Sequence, residues 1–146
     1  MLIAIFGESC VGKTTFCNLL KENLSAKVFS GKDYLRLAKN EAIAKKEFIN
    51  LLQNAVNGEN IIYVITEIEH LSFIPSGAVR VLMTASLPTI KERFAKRTGG
   101  ILPPALVKTL EAKHGCFDNQ PYDFLITEQD KNLQSIINNV ISFCNK

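Results

Sequence analysis

The chemistry-bearing stretch of this chain runs Gly7, Glu8, Ser9, Cys10, Val11, Gly12, Lys13, Thr14, Thr15. Gly7, Gly12, Lys13 and Thr14 fit the pattern G-x-x-x-x-G-K-[ST], which needs a strand before it and a helix after it. Both are present in the pattern of residues. Leu2, Ile3, Ala4, Ile5 and Phe6 are apolar, and Phe16, Leu19, Leu20 and Leu24 recur at helical spacing. Glycine lets the backbone wrap closely around a polyphosphate. Successive N–H groups and the positive end of the following helix then face the anion. All nine residues are expected to bind nucleotide phosphates. Lys13 supplies a full charge for the β- and γ-phosphates, and the Thr14 hydroxyl is placed to ligate Mg²⁺.

Other candidate groups follow apolar runs further along. Asp33 and Arg36 come after residues 26–30, Thr66, Glu67 and Glu69 after residues 61–65, and Arg93 and Arg97 after residues 79–85. Arg93 and Arg97 are one helical turn apart and share a face. Each also has a plainer explanation. The arginines stand beside Lys91, Glu92 and Lys96 as on a solvated charged face, Asp33 can cap a helix, and Glu67 can be an ordinary strand-end carboxylate.

Five short apolar runs position these groups: 2–6, 26–30, 61–65, 79–85 and 124–127. Helical patterns fill 14–24, 33–57 (in two pieces), 88–97, 105–113 and the segment carrying Leu133, Ile136, Ile137, Val140 and Ile141. Ser86 is an N-cap candidate followed by the early-turn proline Pro88, and Gly58 is a C-cap candidate. Alternating strands and helices predict an α/β, three-layer fold with a five-stranded parallel sheet and helices on both faces. Ligands in such sheets bind beyond the C-terminal ends of the strands. The groups named above fall there.

The totals narrow the function classes. The chain has 146 residues, 47% hydrophobic and 21% charged, which suits one domain of a globular protein. A net charge of +3 suits an anionic ligand and does not argue for nucleic acid. No apolar run reaches membrane-spanning length, and the first residues read as a strand, not a signal peptide. Cys10, Cys17, Cys116 and Cys144 form no C-x-x-C pair, so neither a zinc site nor a disulfide framework is expected, and a reducing cytoplasm is. Cys10 reads as a small loop residue. His70 and His114 read as surface or loop residues.

Three segments together resemble the P-loop small-molecule kinases, in particular the nucleoside monophosphate kinase group, which is adenylate kinase-like. They are the loop Gly7–Thr14, the segment Ser30-Gly31-Lys32-Asp33-Tyr34-Leu35-Arg36, and the stretch from Ala85 to Arg97. The resemblance implies a catalytic set of Lys13, Asp33, Arg93 and Arg97. It implies an acceptor site with Asp33 and Arg36, a short lid near 98–104, and adenine beside Thr127 and Glu128. Glu67 joins the acceptor side as a candidate that could hold a Mg²⁺-bound water. One departure is plain: where adenylate kinases carry a Gly-Phe-Pro-Arg turn after the third strand, this chain has Thr66-Glu67-Ile68-Glu69-His70.

The expected activity is transfer of the γ-phosphoryl group of ATP, with Mg²⁺, to a nucleoside monophosphate or another small acceptor. A phosphate acceptor needs no strong base, whereas a hydroxyl acceptor benefits from a carboxylate, and Asp33 could serve. The alternative is a non-catalytic ATP-binding module descended from such a kinase. A GTPase-type switch is disfavoured, because Thr127-Glu128-Gln129-Asp130 only approaches the guanine signature and no Asp-x-x-Gly segment exists. The expected partners are ATP and a small acceptor, with no nucleic acid and no membrane, in a monomer or homodimer.

Overall fold

The computed structural model describes residues 1–145. Its centre is β1 (Leu2–Phe6), every residue of which is buried. The strand alternates its side chains between two cores. Ile3 and Ile5 join Phe16, Leu20, Ile137 and Val140, while Leu2, Ala4 and Phe6 join Phe48, Leu52 and Phe117. A strand buried on both faces is the mark of a parallel sheet covered by helices on each side.

The remaining elements follow in order: α1 (Lys13–Asn23), β2 (Lys27–Ser30), α2 (Glu41–Ala55), β3 (Ile61–Ile65), β4 (Val79–Met83), α3 (Leu87–Arg97), α4 (Pro104–Lys113), β5 (Phe124–Ile126) and α5 (Leu133–Cys144). The sheet order is β2-β3-β1-β4-β5, with every pair parallel. Ile3 lies opposite Ile62 on one side and Val79 on the other. β1 is therefore where the strand order reverses, and its C-terminal end opens a crevice.

Local chemistry explains the boundaries. The Asn40 side chain accepts from the Ile43 N–H and starts α2, the Ser86 side chain accepts from the Thr89 N–H and starts α3, and the Asn132 side chain accepts from the Ser135 N–H and starts α5. The helical pattern over 33–57 resolves into a short 3₁₀ helix (Asp33–Leu37) and α2. A second 3₁₀ helix (Ile68–Phe73), not expected from the sequence, follows β3. It carries His70 inward. That side chain is 4% exposed and packs against Phe73 and Tyr34, contrary to its expected place at the surface. β4 ends at Met83, two residues earlier than expected, because the chain turns there toward the Ser86 cap. Among the described residues no helix is long and apolar enough to cross a membrane.

Candidate active site

The phosphate loop leaves β1 at Gly7. Its N–H donates to the Ile65 carbonyl at 3.2 Å, and a Cβ on it would lie 2.3 Å from the Met83 carbonyl oxygen. Only glycine passes between the ends of β3 and β4 there. The loop then turns through Cys10, with φ of 64°, and Gly12, with φ of 103°. The left-handed value at Cys10 is uncommon for a residue with a side chain. α1 begins at Lys13 with no side-chain cap and no acidic residue in its first turn. Its first N–H groups therefore face the loop's concavity, which suits an anion.

Lys13 is only 7% exposed. Its Nζ donates to the carbonyl oxygens of Gly7 at 2.7 Å and Glu8 at 2.5 Å. Burial pushes its pKa down from 10.5 to about 8, Arg97 acts in the same direction, and the Glu8 carboxylate opposes it.

Two clefts flank the loop. The first, about 350 Å³, is lined by Ser9, Lys13, Thr14, Ser30, Thr66 and Arg97 together with Cys10 and Gly12. The second, about 440 Å³, is lined by Val11, Thr15, Arg93, Thr127, Glu128 and Leu133, again with Cys10, Gly12 and Arg97. Arg97 is thus the charged side chain that borders both. Arg93 borders the second cleft and donates from its guanidinium to the Cys10 carbonyl oxygen at 3.0 Å. Glu128 accepts from the Ser86 N–H at 3.0 Å. Hydrogen bonds from the Thr89 side chain and from Ser86 hold its carboxyl below the usual range.

The other candidates line neither of these clefts. Asp33 Oδ2 accepts from the Ser30 N–H at 2.8 Å, and its Oδ1 stands 4.0 Å from Arg36. Arg36 is 86% exposed and lines neither cleft. Glu67 pairs with Lys113 at 3.2 Å beside a cavity of about 30 Å³ behind the loop. The Glu8 carboxylate turns away from both clefts, toward His114 Nδ1 at 3.1 Å and the Gly115 N–H at 3.2 Å. Sequence reasoning missed the roles of Lys113, His114 and Gly115, since nothing in their spacing relates Lys113 to Glu67, 46 positions earlier, or His114 and Gly115 to Glu8, 106 and 107 positions earlier.

A divalent cation fits this site on stated terms. Among the described residues no group of three or more His, Cys, Asp or Glu side chains could hold a metal. Mg²⁺, however, binds through few protein groups, keeping waters and phosphate oxygens. Thr14, at the first turn of α1 and on the wall of the first cleft, is a suitable protein group.

The sequence matches no protein-family model and no curated protein. Solved structures do match over nearly the whole chain. Shikimate kinase from Acinetobacter baumannii superposes with a TM-score of 0.63 at 12% identity, covering 97% of this chain and 91% of that one. A gluconokinase from Sinorhizobium meliloti gives 0.58 at 14% identity, covering 98% and 90%. An uncharacterized protein from Eubacterium ventriosum gives 0.66 at 16% identity, covering 100% and 99%. The fold is that of the small kinases. At these identities the likeness carries the three-layer architecture with its five-stranded parallel sheet, as the strand order requires.

Proposed function

We propose that this chain is an ATP-dependent phosphotransferase acting on a hydroxyl-bearing small molecule. One observation carries it: Arg97 lines both a nucleotide-sized cleft and a smaller polar one, and Lys13 lines the smaller, so a phosphoryl group passing between them stays among cations. The second cleft takes the nucleoside, with Thr127 and Glu128 at its far wall. The first takes the acceptor. Its walls offer the hydroxyls of Ser9, Ser30 and Thr66, and no cation beyond Lys13 and Arg97. A nucleoside monophosphate would bring a second phosphate needing its own arginine, and Arg36 points to solvent. Kinases of shikimate and gluconate among the structural neighbours agree with a hydroxyl acceptor.

In the reaction, the acceptor oxygen attacks the γ-phosphorus and the bond to the β–γ bridging oxygen breaks. ADP leaves, and the acceptor proton passes to Asp33, which does not line the first cleft itself but accepts from the N–H of Ser30 in its wall. Lys13 moves from the loop carbonyls onto the phosphates, and Arg97 spans the transferring group. Mg²⁺, held by Thr14 and the phosphates, would supply further charge neutralisation. The segment between α3 and α4 acts as a short lid. Gly99 and Gly100 both hold left-handed backbone there, which gives it a built-in bend.

A second function has one observation in its favour. Asp33, Arg36 and Glu67 all have partners within the chain and none lines the first cleft. A non-catalytic ATP-binding module would look like this. Release of ADP from MgATP, measured with pooled sugars, sugar acids and nucleosides and separately with pooled nucleoside monophosphates, separates the cases. Stimulation by the first pool supports the hydroxyl kinase. Stimulation by the second makes it a nucleotide kinase, and tight ATP binding with no stimulation makes it a module.

A further inference from the structure

The Glu8 side chain is unusual in its placement. An acidic residue inside a phosphate-binding loop opposes the ligand's charge, yet its side chain is only 10% exposed. It lines neither of the two clefts. Oε2 accepts from the Gly115 N–H at 3.2 Å, and Oε1 meets His114 Nδ1 at 3.1 Å. His114 and Gly115 lie immediately after α4, the helix that returns from the lid segment. On the other side of that segment, Arg93 of α3 holds the Cys10 carbonyl. The loop is therefore gripped at Glu8 and at Cys10 by the two helices that flank the lid. The Glu8 backbone carbonyl is also one of the two oxygens that hold the Lys13 ammonium.

We propose that Glu8 is a positioning residue whose carboxylate fastens the phosphate loop to the end of α4, so that loop and lid stem share one geometry. This rests on the phosphotransferase reading for its consequence, but the contact is a property of the protein without nucleotide. A nearly buried carboxylate that receives an N–H is a strong tie. Losing it frees residues 8–10, and Lys13 loses one fixed partner with them. The neighbouring Lys113–Glu67 pair is more exposed and is the weaker tie.

The sign of the mutational effect tests the proposal. A carboxylate acting only as a nearby negative charge weakens nucleotide binding, so its removal should tighten binding. A carboxylate acting as an anchor should do the reverse when removed. Titration calorimetry with MgADP on the full chain is expected to show about tenfold weaker binding for Glu8→Ala. Glu8→Gln keeps an oxygen for the Gly115 N–H and drops the charge, so it should recover most of that loss. Lys113→Ala should stay within about twofold of the parent. Amide hydrogen exchange without nucleotide should show residues 7–12 and 114–118 opening about tenfold faster in Glu8→Ala, with α2 unchanged. Equal or tighter MgADP binding by Glu8→Ala, or unchanged exchange in both segments, overturns the proposal. Failure of the parent protein to bind MgADP would overturn the phosphotransferase reading instead, while the exchange comparison still decides the role of Glu8.

Discussion

The Arg93 guanidinium holds the carbonyl oxygen of Cys10 at 3.0 Å, which ties α3 to the phosphate loop. One turn further along the same helix, Arg97 has no such tie among the described residues and borders both clefts. Two arginines paired by spacing thus have different surroundings, and their replacement should have different kinetic signatures.

Arg97→Ala is expected to lower kcat by about 10³, with the KM for ATP changing only a few-fold, because an arginine that meets the transferring group acts mainly in the transition state. Arg93→Ala should raise the KM for ATP about tenfold through a loosened loop, with a smaller loss in kcat. Steady-state kinetics on both variants check this. Equal effects of the two changes on kcat and KM would contradict the division of roles.

Lys13 gives a pH signature. Its folded-state pKa of about 8 lies below the ordinary 10.5 because it is buried. MgADP binding needs the ammonium, so affinity should fall as pH rises past 8, approaching tenfold per unit. Stability of the free chain should move oppositely. Between pH 8 and 10.5 the folded state holds fewer protons than the unfolded state, so this residue's contribution to stability grows with pH over that window and is lost as pH falls through 8. Comparison with Lys13→Met isolates both effects, by calorimetry for binding and by denaturant unfolding for stability.

Gly7→Ala tests the loop's entry. Its new methyl would sit 2.3 Å from the Met83 carbonyl, so the ends of β1 and β4 must separate. A loss of about 2–3 kcal/mol is expected, or roughly 4–12 °C in Tm for a chain of this size. Thermal unfolding followed by circular dichroism measures it.

The sheet and the phosphate loop are legible in the sequence because their signals are local. Residues 2–6 are apolar on both faces, Gly12-Lys13-Thr14 has a backbone demand that few other stretches meet, and Ser86 is followed by Pro88 at the first turn of α3. The 3₁₀ helix at Ile68–Phe73 is less visible. Glu69 and His70 look like loop residues, and the inward His70 ring is met by Tyr34 and Phe73, with no hydrogen-bond partner for its buried Nδ1 among the described residues. The carboxylates have the same difficulty. Asp33, Glu67 and Glu8 were candidates by type and position, but their direction depends on Ser30, Lys113 and Gly115, two of them contributed by distant elements.

Asp33→Asn separates the base from the turn. Asparagine retains an oxygen for the Ser30 N–H, so the loop after β2 should keep its shape. A hydroxyl acceptor would then be phosphorylated about 10²–10⁴ more slowly, with a similar KM. Unchanged kcat would assign Asp33 to the turn alone.

The most direct test of the account is transfer of the γ-phosphoryl group itself. ATP labelled at the γ position, Mg²⁺ and the hydroxyl-metabolite pool are incubated with the protein and with Lys13→Ala, and small-molecule products are separated. Label is expected on a hydroxyl metabolite with the parent protein and on none with the variant. Nucleotide binding with no transfer of label to any small molecule would contradict it.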